Sequence, residues 1–355
     1  MAPAVPRNLL KHGRSGRRDE LGRGVLAALV TILLLAALAG IGALVPTPFV
    51  LVTPGSVLDT TALVTVSSSQ GKYPSRGHLY LTSVRTIPAS ATLWLLGKLN
   101  PDAALVPREQ ARPPNMSERE YRAVLDTMMS ESKSTALVVA LRAAGYDVQP
   151  ALQGARVEQV RTGTAAEGVL QPGDIITALE GQPVSTASEL AQAVRSRRPG
   201  ETIHLSVLRS GEYTNLMVTV GAAPDDSGRA FLGVSVMTQV NPSALPVSAQ
   251  ITTRELGGPS AGLMFALAIY DALVPEDITH GQSIAGTGAL TLDGKIEGVG
   301  SVAQKVYGAE HKGAAYFLVP AENYEEARKA ARRITVIPVK TFDDALAALR
   351  ALPNA

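Results

Sequence analysis

The chain has 355 residues, 46% of them hydrophobic and 18% charged, a globular composition with room for two or three domains. It contains no cysteine, which excludes disulfides, thiolate nucleophiles and Cys-ligated zinc. The net charge of +2 is uneven: residues 1–24 carry +4, with Arg7, Lys11, Arg14, Arg17, Arg18 and Arg23 against two acids, and the remainder carries −2.

A basic head can mark nucleic-acid binding, but the next stretch explains it better. Residues 25–45 (VLAALVTILLLAALAGIGALV) hold one polar side chain, Thr31. As a helix they would cover about 30 Å, the thickness of a bilayer core. No Lys or Arg follows until Lys72. The expectation is a cytoplasmic tail at 1–24 and a single transmembrane helix at 25–45, with the rest of the chain outside the cytoplasmic membrane. The alternative is a cleaved signal peptide, since Ala37-Leu38-Ala39 resembles a cleavage site. Nucleic acid is not an expected partner.

Residues 46–149 form a region of unclear fold. HLYLTSVR (78–85) alternates like a strand. Ser117 and Glu120 make a capping-box pattern before a helical stretch that runs, with a break near Ser130–Ser134, to Gly145. Asn115-Met116-Ser117 matches a glycosylation sequon and carries little weight. Ser130-Glu131-Ser132-Lys133 fits the S-x-x-K of penicillin-recognising enzymes, but the S-D-N and K-T-G elements that chemistry needs are absent from the sequence. The motif is set aside.

Residues 150–222 read as strand, short helix, turn, strand, turn, helix and two closing strands. QPGD (171–174) is a tight turn before IITAL, and TASELAQAV is amphipathic, with Leu190, Ala193 and Val194 on one face. This order, with the phrases GVLQPGDIITALEGQPV and GETIHLSVLRSGE, resembles a PDZ domain of the bacterial protease-associated type. The resemblance implies a β-rich fold that binds peptides by strand addition. It places the groove between the strand near Gly154–Val160 and the helix Thr186–Val194, lined by Val157, Leu190 and Val194. No G-L-G-F-like loop precedes that strand, and the other reading is a spacer that shapes access to the next domain.

The last segment, 230–352, alternates strands and helices. GGPSAGLMFALAIYDAL (257–273) puts Ser260 at the mouth of an apolar helix. Serine is a good N-cap, and it is also a nucleophile where a base is near. None of His12, His78, His204, His280 and His311 sits in a triad motif. Among the lysines, Lys305 shares a helix face with Val302, Val306 and Ala309. A lysine placed so either snorkels to water or is held for chemistry. Chemistry at pH 7 needs a large shift: at an ordinary pKa of about 10.4, about one lysine in 2,500 is neutral. Burial can lower that pKa by about 3–5 units. The Gly257-Gly258-Pro259 lead-in lets a substrate backbone approach, and the helix start offers the Ser260 N–H to an oxyanion.

GGPSAG, GTGALTLDGKIEGVGSVAQK and KGAAYFLVP resemble, in order and spacing, the proteolytic domain of Lon-family peptidases. The resemblance implies an α/β (α+β) domain with a Ser-Lys dyad: Ser260 as nucleophile, Lys305 as general base and Thr287 as the residue orienting the amine. Tail, anchor, PDZ and Lon-like domain together resemble the membrane-anchored Lon-like proteases of bacteria. The expectation is therefore an ATP-independent serine endopeptidase acting on extracytoplasmic polypeptides, without cofactor or metal. Lon-type domains often form rings, which allows a homo-oligomer. Two departures stand out: cytoplasmic Lon has acids where this chain has Gly257 and Ala289. There is also no G-x-x-x-x-G-K-[ST] for an ATPase. The competing readings are a non-enzymatic PDZ scaffold and a protease limited to self-processing.

Overall fold

The computed structural model of the chain describes residues 15–67, 73–112, 118–223, 226–253 and 256–355. The first part of the basic tail, Ser117 of the capping-box pattern and the sequon lie outside them. The largest sheet has six strands, in the order Thr335–Val339, Tyr316–Pro320, Ser283–Gly286, His78–Ser90, Pro46–Asp59 and Ala104–Pro107. The pairings among the first four are parallel, and the last two pairings are antiparallel. Three of the six strands thus come from residues 46–107, part of the region whose fold the sequence leaves open.

Side chains alternate across this sheet, as the pleat requires. Leu79, Leu81, Ile284 and Leu318 enter one core, while Tyr80, Ala285, Phe317 and Val319 enter another. The first core is filled by helix Gly262–Leu273, every residue of which is buried, and by the later turns of helix Glu118–Ala143. A helix apolar on all sides suits a position with protein all round it. The second core is covered by helix Val302–Lys312 through Val302, Val306 and Ala309. The sheet therefore separates the helix that follows Ser260 from the helix that carries Lys305.

Between helix Glu118–Ala143 and the return strand Ser248–Ile251, the chain builds a second unit with its own core. Its strand order is Val234–Val240, Leu152–Val160, Ile175–Leu179, Thr202–Arg209 and Glu212–Thr219, and helix Ala187–Arg195 packs on it through Leu190 and Val194. The return strand pairs with Val64–Ser67, closing the first unit again.

A helix does run from Ser15 to Leu44. Among the described residues, however, no helix is long and apolar enough to cross a membrane. This corrects the expected transmembrane helix at 25–45, and with it the single-pass membrane location. The end of the helix is docked on protein. Thr92 Oγ1 donates to Ala39 O at 2.7 Å, and the Ala91 N–H donates to Val45 O at 2.9 Å. A Cβ on Gly42 would come within 2.6 Å of the same Thr92 oxygen. The end of the helix is seated on helix Ala91–Leu99.

One ion pair anchors the second unit. Asp174 is 2% exposed and accepts from Arg209 Nε at 2.8 Å, from Arg209 Nη2 at 2.7 Å and from the Gln171 N–H at 2.8 Å. Burial alone would raise its pKa, but the hydrogen bonds from Arg209 and Gln171 hold it below the usual carboxylate range. Its stabilisation is present above a pH of about 4 and is lost as pH falls through the depressed value. Asp174→Ala strands the Arg209 charge. In urea unfolding it is expected to cost about 3 kcal/mol at pH 7, with the difference from wild type shrinking as pH falls from the ordinary aspartate value of about 4 through the depressed one.

Candidate active site

Three backbone groups around Ser260 are held. Gly258 is buried in the left-handed region at φ +86°, where a side chain would be strained. Its N–H donates to Leu125 O at 2.9 Å. Pro259 O accepts from Ser132 Oγ at 3.1 Å and from the Gly262 N–H at 3.2 Å. Ser260 O accepts from Thr287 Oγ1 at 3.0 Å and from the Gly288 N–H at 2.9 Å. Gly257 and Pro259 are exposed, and Ser260 is half-buried. Helix Gly262–Leu273 takes Ala261 as its N-cap and has no side-chain cap bond. Among the described residues the Ser260 hydroxyl has no hydrogen-bond partner, so it does not act as the helix cap.

Lys305 arrives from the opposite face of the sheet. It is 3% exposed, on the same helix face as the fully buried Val302, Val306 and Ala309, so it does not snorkel. Its Nζ donates to Thr287 Oγ1 at 3.0 Å. Thr287 is itself fully buried and directly follows strand Ser283–Gly286, between the two helices. Gly286 lets helix and sheet close on this point, since a Cβ there would meet Met264 Sδ at 2.6 Å. Burial pulls the Lys305 pKa down from 10.5 to about 8, against a smaller opposing pull from Glu326. About one molecule in ten then carries a neutral amine at pH 7.

The polarity of this chain of contacts follows from proton counting. A threonine hydroxyl has one proton, and Thr287 spends it on Ser260 O. Thr287 therefore accepts from Lys305 and cannot donate to it. The lone pair of a neutral Lys305 stays free for another proton.

The expected peptide groove is arranged differently. Strand Leu152–Val160 is paired on both sides, by Val234–Val240 and by Ile175–Leu179, and has no edge to offer. Val157, Leu190 and Val194 are buried core residues of that unit. The edge strand on this side of the sheet is Val234–Val240. It follows Phe231-Leu232-Gly233-Val234, in which Gly233 has φ +84°. Thr238 Oγ1 accepts from the Ala187 N–H at the start of helix Ala187–Arg195, at 2.9 Å. The sequence reading missed this loop because it lies after the domain's other strands, not before them. It also missed Ser132, which sits inside the discarded S-x-x-K motif.

Residues 252–351 match the family model of the Lon protease (S16) C-terminal proteolytic domain, and residues 136–220 match that of the PDZ domain. The chain carries a PDZ domain and a Lon-type proteolytic domain. Lon protease 2 of Bacillus subtilis (strain 168) is 36% identical over 93 residues, covering 26% of this chain and 16% of that protein. A probable periplasmic serine endoprotease DegP-like of Pseudomonas putida (strain GB-1) is 37% identical over 103 residues, covering 29% of this chain and 22% of that protein. These alignments span less than a third of either relative's length. Among solved structures, the PDZ domain of an SdrC-like protein from Listeria monocytogenes is 21% identical, covering 24% of this chain and 87% of that one at a TM-score of 0.22. At that score the overlap carries no further weight. The Lon-type match includes Ser260, Thr287 and Lys305. The sheet of the Lon-type domain also draws on residues 46–107, which lie outside the match.

The buried lysine has a measurable cost. Its folded pKa of about 8 lies below the ordinary 10.5, so the folded state binds its proton less well than the unfolded chain does. The penalty is full below pH 8 and fades as pH rises toward 10.5. Lys305→Met keeps the apolar stem and removes the charge, and Thr287 keeps its bond to Ser260 O. This variant should be more stable than wild type by about 3 kcal/mol at pH 7, with the gain falling away between pH 8 and pH 10.5, as read by urea unfolding at each pH.

Proposed function

We propose that the chain is an ATP-independent serine endopeptidase in which Lys305 is the general base and Ser260 the nucleophile. Neutral Lys305 takes the Ser260 hydroxyl proton as Oγ attacks a peptide carbonyl. The oxyanion is met by the Ser260 N–H at the start of the helix. Lys305 then gives its proton to the departing amine, and water resolves the acyl-enzyme. In this scheme Thr287 positions the amine with its lone pair unused. The observation that carries the reading is a nearly fully buried lysine, held by Thr287 on the same spot that holds the Ser260 carbonyl. A purely structural site would be more stable with a methionine there.

The PDZ domain is read as the part that captures polypeptides. The free edge of strand Val234–Val240, between the Phe231–Val234 loop and helix Ala187–Arg195, is the position for an added peptide strand. Unfolded or terminal segments suit this mode, because main-chain hydrogen bonds do most of the binding.

Dye-labelled β-casein, an unfolded substrate, should be cleaved without ATP by the full chain. Ser260→Ala and Lys305→Ala should each lower kcat by about a thousandfold or more. Equal cleavage by wild type and Ser260→Ala would contradict the proposal. Acylation of Ser260 needs the neutral amine, so kcat/KM should rise with pH along a limb of unit slope and level off near pH 8. Thr287→Val should lower kcat by about ten- to a hundredfold.

A further inference from the structure

The mechanism leaves one buried polar side chain beside the nucleophile loop without a role. Ser132 lies on helix Glu118–Ala143, is 5% exposed and sits outside both family-model matches. A serine inside a helix commonly bonds back to the carbonyl four residues earlier. Ser134, one residue pair further on, does so with Ser130 O at 3.3 Å. Ser132 instead donates to Pro259 O at 3.1 Å, across 127 residues of sequence. Leu125, on the same helix, accepts from the Gly258 N–H, and Lys133 Nζ donates to Ile251 O at 3.0 Å. One helix thus holds the loop at two points and the end of strand Ser248–Ile251 at a third, and the point nearest the nucleophile is Ser132.

Peptide geometry gives this contact a consequence. No cis peptide bond occurs among the described residues, and in a trans peptide the C=O and N–H point in opposite directions. Holding Pro259 O against helix Glu118–Ala143 turns the N–H of Ser260, the other end of the same peptide plane, away from that helix. Among the described residues this N–H has no hydrogen-bond partner. We infer that Ser132 is a positioning residue for the oxyanion: through the Pro259–Ser260 peptide it fixes the direction of the Ser260 N–H. The inference rests on the proposed Ser260 chemistry and adds to it a residue that touches neither substrate nor dyad. An aligned donor at this position is worth about 10²–10³ in rate, and a donor left free to rock loses part of that. The Gly262 N–H still bonds Pro259 O when the serine hydroxyl is gone, so the loop keeps a partner in Ser132→Ala.

The test compares wild type, Ser132→Ala, Ser132→Thr and Ser260→Ala as full chains. Steady-state cleavage of dye-labelled β-casein gives kcat and KM, and labelling by a fluorophosphonate counts active Ser260 sites. Turnover per labelled site should fall about ten- to a hundredfold in Ser132→Ala, with KM within threefold of wild type, and Ser132→Thr should recover to within threefold. If turnover per site in Ser132→Ala stays within twofold of wild type, the inference is overturned. It is also overturned if the loss is only in the number of labelled sites, or if KM rises as steeply as kcat falls, because either result makes Ser132 a packing residue. No cleavage that Ser260→Ala removes would overturn the proposed function itself, and this inference with it.

Discussion

A lysine ammonium taken out of water is the constraint around which the Lon-type domain is arranged. Lys305 comes from a helix that is apolar on the face it shares with the lysine, and every neighbour on that face favours the neutral amine. Such a group persists only where the surrounding fold is stable enough to carry its cost. Here the sheet does so: helix Val302–Lys312 seals one face and helix Gly262–Leu273 the other. The two helices approach each other at the end of strand Ser283–Gly286. Thr287 stands there, its proton committed to Ser260 O and its oxygen to Lys305. A hydroxyl with one proton and spare lone pairs suits this post, because it holds both partners and leaves the amine its basic electron pair.

The second constraint is the rigidity of the loop before the serine. Gly258, Pro259 and Ser260 are each held through the backbone, from helix Glu118–Ala143 on one side and from Thr287 and Gly288 on the other. Preorganisation of this kind lowers the cost of reaching a transition state, because no donor must be recruited as charge develops. The arrangement also gives the PDZ domain a physical connection to the active site. It is built between the holding helix and the return strand Ser248–Ile251, and Arg156 of the PDZ sheet lies 3.7 Å from Glu131, the residue next to Ser132.

Local patterns were the legible part of the sequence. The apolar helix after Ser260, the shared face of Lys305 with Val302, Val306 and Ala309, and the strand at 78–85 all follow from periods of 3.6 or 2. Contacts across long stretches were not legible. Nothing local in residues 46–107 says that His78–Ser90 will pair with Ser283–Gly286, two hundred residues on, and complete the Lon-type sheet. The same holds for Val234–Val240, which takes the sheet edge that local reading assigned to Leu152–Val160, and for Val157, Leu190 and Val194, which lie in the core. Ser132 was hidden for the opposite reason. It lay in a motif set aside because its partner elements are absent from the sequence, and its contact with Pro259 exists only in three dimensions. The run at 25–45 shows the limit of hydropathy alone: among the described residues no helix is long and apolar enough to cross a membrane, and the end of this one is docked on Thr92.

The central claim is that one amine, Lys305, titrates near neutrality because it is buried. Its most direct test is NMR of the full chain with 13Cε-labelled lysine, the Lys305 resonance being assigned by its loss in Lys305→Arg. The account predicts a titration of that single signal centred near pH 8, with the solvent-exposed lysines titrating at about 10.4. A Lys305 signal that moves together with the exposed lysines would contradict it.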